Sequence, residues 1–188
     1  MKVQVGQYGY LKQQKLLNMV KIILCVIIGV IIYGVGMYLN KGNSKNVGTV
    51  LAILMALPAA KEFTELVVVF PFHDVEKSRY EKIKAQCHQD ATFMTGLVIT
   101  SEKKIMNLDF LVEWEGNVIG LTGSKEKEVP YVNDYITKGV RNWGFDYHVK
   151  IFGDEKSFLK AMASLKPVKV TDTEKEHVID YLKSLIVK

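Results

Sequence analysis

The sequence predicts a small α/β domain of the α+β kind, carried on an N-terminal two-helix transmembrane hairpin. Three observations lead to it. Ile22 to Leu39, "IILCVIIGVIIYGVGMYL", holds 18 residues with no charge and no proline, about 27 Å of helix at about 1.5 Å per residue. A second apolar run follows the polar stretch "NKGNSKN". From His73 onward, helical periodicity alternates with short β-branched runs in the order αβββαβαα. The helix between the third and fourth strands reads as a crossover, so a mixed sheet is expected. Residues 1–72 are assigned to the N-terminal segment and hairpin, and 73–188 to a cytosolic domain.

The first span is taken as 22–39. A secretory signal core is shorter, about 7 to 15 residues, and a second apolar run argues against one here. For that run, 47–60 supplies about 21 Å, too short to cross a hydrocarbon core of about 30 Å. Extension to Phe70 gives about 36 Å, so one long helix over 47–70 is expected. Lys61, Glu62 and Glu65 then fall in its last third, at the cytoplasmic interface, with Lys61 and Glu65 spaced to pair at i and i+4. A different use of these charges is to line an ion or substrate path in an assembly, as in a small transport or channel subunit.

Small residues recur at every fourth position, as Gly48, Ala52, Ala56 and Ala60 in the second run and Cys25 and Gly29 in the first. Such stripes let helix backbones approach closely, either within the hairpin or between copies of it. Lysines precede the first span and basic residues follow the second, in "HDVEKSRYEKIK". The positive-inside rule then puts both termini in the cytoplasm and the protein in the plasma membrane, with membrane lipid as its first partner.

The net charge of +5 is unevenly spread. Lys2, Lys12, Lys15, Lys21, Lys41 and Lys45 give the first 46 residues +6 with no acid, which leaves −1 for the remainder. The soluble part is not basic overall, and this argues against a nucleic-acid partner. The two cysteines, Cys25 in the first span and Cys87 in the soluble part, are not expected to form a disulfide. Cys87-His88 lacks a second pair at ligand spacing, so a reduced cytosolic thiol is expected and no metal or cofactor.

The soluble elements follow in order. "DVEKSRYEKIKAQCHQ" places Val75, Tyr80, Ile83 and Cys87 at near-helical spacing. "ATFMTGLVIT" is strand-like, and strands over 105–114 and 117–123 should turn at Glu115-Gly116-Asn117. "VPYVNDYITKGVRNWG" reads as a helix stopped by Gly144, and "FDYHVKIFG" as a fourth strand. "DEKSFLKAMASL" is a helix capped by Asp154. "TDTEKEHVIDYLKSLIVK" is a final helix with Thr173 and Glu176 at capping-box spacing. Its apolar face, Val178, Tyr181, Leu182, Leu185 and Ile186, suits the domain and a partner equally.

That element order, with Asp109 in "LDFLVEWEGNVIGLTGSK", resembles the core of the restriction-endonuclease-like superfamily, PD-(D/E)XK. The resemblance covers about 80 residues. Active members of that family carry an Asp on the second strand and Glu-x-Lys on the third, because two carboxylates hold a divalent metal over a phosphate while the lysine activates water. Asp109 matches the first acid and Lys125 the lysine, whereas the second acid's position falls on Gly123. The resemblance therefore implies a degenerate, noncatalytic member. Were the chain a membrane-tethered metal-dependent nuclease or phosphodiesterase, Asp109 and Glu126 would hold the metal, with Glu113 a further substitute.

The segment "GQYGYLKQQKLLNMVKIIL", with "LPAAKEF" in the second run, also resembles uncharacterised two-span membrane proteins of Gram-positive bacteria. That supports the architecture and implies no activity. "LTGSKEKE" lacks P-loop glycine spacing, and His148 and His177 show no nucleophile arrangement. Trp114, Trp143, Tyr131, Tyr135 and Tyr147 are expected as core and rim aromatics. The function expected is a noncatalytic binding or scaffolding protein, acting through a protein partner or self-association.

Overall fold

The computed structural model describes residues 3–144 and 146–187. Lys2 among the flanking lysines, Phe145 at the head of the expected fourth strand and Lys188 at the end of the expected last helix lie outside the described residues. The chain forms two compact units, one of Lys12–Pro71 and one of Met1–Leu11 with Phe72–Lys188.

The larger unit is mixed α+β. Strands β1 (Thr92–Thr100), β2 (Ile105–Trp114), β3 (Asn117–Thr122) and β4 (His148–Phe152) form one sheet in that spatial order. β1 with β2 and β2 with β3 are antiparallel, whereas β3 and β4 are parallel. The sheet is therefore mixed, as the crossover implies. β2 and β3 are joined by a two-residue turn in which Glu115 and Gly116 have φ of 42° and 75°. Two positive values in succession are what a type I′ hairpin turn requires, and they match the strands' twist.

Helices cover both faces. They are α4 (Lys77–Lys84), α5 (Val129–Asn142), α6 (Glu155–Ala163) and α7 (Asp172–Ser184), preceded in the chain by three helices. Val132, Ile136 and Val140 of α5 and Val178 and Leu182 of α7 pack with Met106, Leu108 and Leu111. Ile83 of α4 and Phe158 and Met162 of α6 pack with Phe110, Val112, Ile119 and Leu121 on the other face. The last helix thus turns its apolar face to its own domain.

Strand β2 changes parity along its length. Met106 and Leu108 belong to one cluster, yet Phe110 joins the other and Leu111 returns to the first. The cause is a register shift between Leu108 and Phe110 against β3, a bulge with Asp109 as its extra residue. The outer edge of β1 is covered from both ends of the chain. Thr95 N donates to Gly6 O at 2.8 Å and Val187 N to Val98 O at 2.9 Å, which blunts an edge that would otherwise pair with another chain.

The start of the last helix departs from expectation. The last helix is capped by Thr171 with Glu174, a full capping box two residues before Thr173 and Glu176. Starting there puts Asp172 and Glu174 in the first turn, where acids oppose the helix dipole, and keeps Lys175 out of the N2 position. By contrast Asp154 caps α6 as expected, accepting from Lys156 N and Ser157 N, and Gly144 follows α5 with φ of 82°.

The smaller unit contains most of α1 (Tyr10–Leu39) and all of α2 (Val47–Leu54) and α3 (Ala56–Val69). α1 is long and apolar enough to cross a membrane. The single helix expected over 47–70 is instead two, interrupted at Met55. Pro58 has no N–H to donate to the Leu54 carbonyl and its ring crowds that carbonyl, so the helical ladder breaks there.

Candidate functional site

The bulge in β2 sets Asp109 against two helices. Arg79 of α4 donates from Nη1 to Asp109 Oδ2 at 2.5 Å and from Nε to Glu155 Oε2, in the first turn of α6, at 2.7 Å. Its guanidinium carbon lies 5.2 Å from the Phe110 ring centroid. Burial alone would lower the Arg79 pKa, but the hydrogen bonds to Asp109 and Glu155 outweigh it and the pKa is raised. A planar guanidinium can serve two carboxylates from two directions at once, which an ammonium on a flexible stem does poorly. The notch between Asp109 and Glu155 thus already holds a cation, one supplied by the chain itself.

The second-acid position is tightly packed. A Cβ on Gly123 would lie 1.8 Å from Asn107 Oδ1 and 3.0 Å from Asp109 Oδ1. Asn107 is held in turn, its Nδ2 donating to Leu97 O at 3.3 Å. Residue 123 is therefore next to Asp109, and no side chain fits there unless Asn107 moves.

Lys125 is exposed in the loop after β3. Glu126 turns to Lys104, whose Nζ donates to Oε1 at 2.7 Å and also pairs with Glu128 at 3.2 Å. Burial would raise the Glu126 pKa, but Lys104 and the Glu128 backbone outweigh it and hold the pKa below the usual carboxylate range. Asp109 and Glu126 are thus each committed to a different cation. Among the described residues, no three His, Cys, Asp or Glu side chains are grouped to hold a metal.

Glu113 stands apart from both. Its side chain is fully buried, with the Tyr147 hydroxyl donating to Oε1 at 3.5 Å and Lys175 Nζ 4.0 Å from Oε2. Burial pushes its pKa up, against the opposing pull of Lys175. These partners come from α7 and the approach to β4, so Glu113 does not join Asp109.

In the smaller unit, Lys21 pairs with Glu62 at 2.9 Å and Lys61 with Glu65 at 3.9 Å. Lys15 Nζ donates to Phe70 O at 2.9 Å. The glycines meet closely, since a Cβ on Gly48 would lie 2.8 Å from Gly36 Cα and one on Gly29 3.5 Å from Ala52 O. Shielded positions include Ile22, Cys25, Gly29, Ile32 and Gly36 on α1, and Gly48, Ala52, Met55, Ala59, Glu62, Leu66 and Val69 on α2 and α3. Their spacing alternates four and three, which keeps one helix face towards a neighbour. A strict step of four advances about 40° around the helix each time, and Ala56 and Ala60 are accordingly exposed, so the every-fourth stripe holds for Gly48 and Ala52 and then leaves the packed face.

Arg79, Glu155 and Asn107 were not singled out by sequence. No protein-family profile, curated protein or solved structure matches the chain.

Proposed function

We propose that the protein is a membrane-anchored, noncatalytic binding or scaffolding module. Its α+β domain is a degenerate relative of the restriction-endonuclease-like fold, and its anchor is a two-helix hairpin. The observation that carries the noncatalytic reading is Arg79, whose guanidinium lies against the carboxylate that a catalytic relative would use for metal. Glu126 is similarly spent on Lys104. The αβββαβ order, the mixed sheet and the nearness of position 123 to Asp109 support the relationship.

For the anchor, Lys15 with Phe70, Lys21 with Glu62 and Gly36 with Gly48 are contacts in opposite order along the two runs. This supports an antiparallel hairpin whose connection is residues 40–46. Glu62 then lies level with Lys21, the last charge before the first span, so the charges of the second run belong at the interface and not within the hydrocarbon. Large apolar side chains including Ile27, Val30, Ile31, Leu51, Ile53 and Leu57 are exposed on this unit, a surface suited to lipid. Both termini are cytoplasmic in this arrangement.

Crosslinking in native membranes tests the module's role. A species larger than the monomer, containing a second copy or another protein, is the expected result. Recovery of the monomer alone would count against scaffolding.

A further inference from the structure

A cleft of about 560 Å³ opens where the start of β3 and β4 meets the end of α5 and the segment after α6. Arg141, His148, Lys150 and Lys166 line it, and no Asp or Glu does. All four are exposed. In a domain with no net basic character this is a local concentration of one sign, and a concave wall of low dielectric focuses such a field.

The domain elsewhere matches its buried or half-buried cations to carboxylates. Arg79 and Lys104 each meet two, and Lys175 meets Glu113. Among the described residues, Arg141, Lys150 and Lys166 are in no ion pair, and Lys150 only overhangs the Phe152 ring at 5.3 Å. Three permanent cations drawn from separate pieces of chain thus face one cavity without an internal counter-charge.

The cleft is also firmly built. His148 N donates to Gly116 O at 2.9 Å and Val168 N to Glu115 O at 2.9 Å. Asn117 Nδ2 donates to Lys166 O at 2.9 Å. The β4 wall and the 166–168 wall are therefore both fastened to the same type I′ turn. Gly116 allows this approach, because a Cβ there would lie 2.8 Å from Val168 Cβ. The backbone of both walls is thus already fixed, so ordering on binding is confined to the side chains.

We propose that this cleft binds a phosphorylated small molecule, whose phosphate oxygens are met by Arg141, Lys150 and Lys166. A guanidinium fork flanked by ammonium groups is the donor set that phosphate recognition favours, and the volume lies in the range of small-ligand pockets. The inference rests on the domain being a binding module. The phosphomonoester comes either from a soluble ester or from a lipid headgroup.

Pyrophosphate titrated calorimetrically into the full-length protein in phosphatidylcholine nanodiscs tests it. Saturable binding is expected at near-physiological salt, weakened roughly tenfold or more by Arg141→Gln with Lys166→Gln, since each removes a charge-assisted hydrogen bond. Arg141→Lys with Lys166→Arg should retain most of the affinity. Lys103→Gln with Lys127→Gln, an equal charge change on exposed residues away from the cleft, should change it less than about twofold given charge screening beyond about 8–10 Å. No saturable binding, or equal losses in the two glutamine pairs, would overturn the proposal. Replacing part of the phosphatidylcholine with phosphatidic acid, against an equal share of phosphatidylglycerol, separates the sources. Loss of pyrophosphate binding with phosphatidic acid alone identifies a lipid headgroup, and equal binding in both identifies a soluble ester. A silent cleft beside crosslinked partners would leave the scaffolding role standing, and a binding cleft on a monomer would do the reverse.

Discussion

Arg79 and Arg141 are the two arginines in a chain with 25 basic residues, and Arg79 sits where a planar fork does work that a lysine does poorly. Arg79 joins residues 30 and 76 positions away, so no local pattern marks it, although its rarity beside so many lysines is a usable signal. Arg79→Ala leaves Asp109 and Glu155 unmatched and should cost about 2 kcal/mol of stability in denaturant unfolding. Arg79→Lys should recover only part of that, because one ammonium serves two divergent carboxylates poorly. Glu113 governs a pH dependence. Its folded pKa is raised above the ordinary 4.5, so the folded chain holds that proton more tightly than the unfolded one. Its contribution is full below about 4.5 and is lost as pH rises through the folded value. Glu113→Gln should therefore stabilise the protein at neutral pH and flatten the decline above pH 4.5, read from thermal midpoints across pH. Asp109 was legible from its strand, but its direction was not, because the bulge that turns it leaves no mark in an apolar run such as "NLDFLVEW".

The elements were most legible where one local device decides them. Glu115-Gly116 forces a tight hairpin, Asp154 caps α6, and alternation or helical spacing marks β1 to β4 and α4 to α7. They were less legible where equivalent devices compete. Thr171 with Glu174 and Thr173 with Glu176 have the same spacing, and dipole and charge in the first turn choose between them. In the second apolar run, Pro58 outweighs hydropathy and interrupts the helix at Met55. The packing face there follows the three-and-four spacing through Met55 and Ala59. Gly36→Leu should accordingly disrupt the contact with Gly48 and lower stability in detergent by about 1–3 kcal/mol, the usual range for overpacking. Ala56→Leu, on the exposed face, should leave the thermal midpoint nearly unchanged.

At the scale of the whole molecule, the chain is two compact units. Chain ends contribute to the α+β unit at the β1 edge, a long-range pairing that local periodicity does not reveal. The proposed hairpin makes a directional prediction. With Cys25 and Cys87 replaced by serine, Asn43→Cys in the connection should react with an impermeant maleimide on intact cells. Glu102→Cys, in an exposed loop of the domain, should react only after permeabilisation. The proposed noncatalytic module depends on Arg79 occupying the place where a catalytic relative would hold a metal. Calorimetric titration of Mn²⁺ into the full-length protein, beside Asp109→Ala, tests it most directly. No saturable binding in either protein is the result expected. Saturable Mn²⁺ binding that Asp109→Ala abolishes would contradict it and favour a metal-dependent phosphodiesterase.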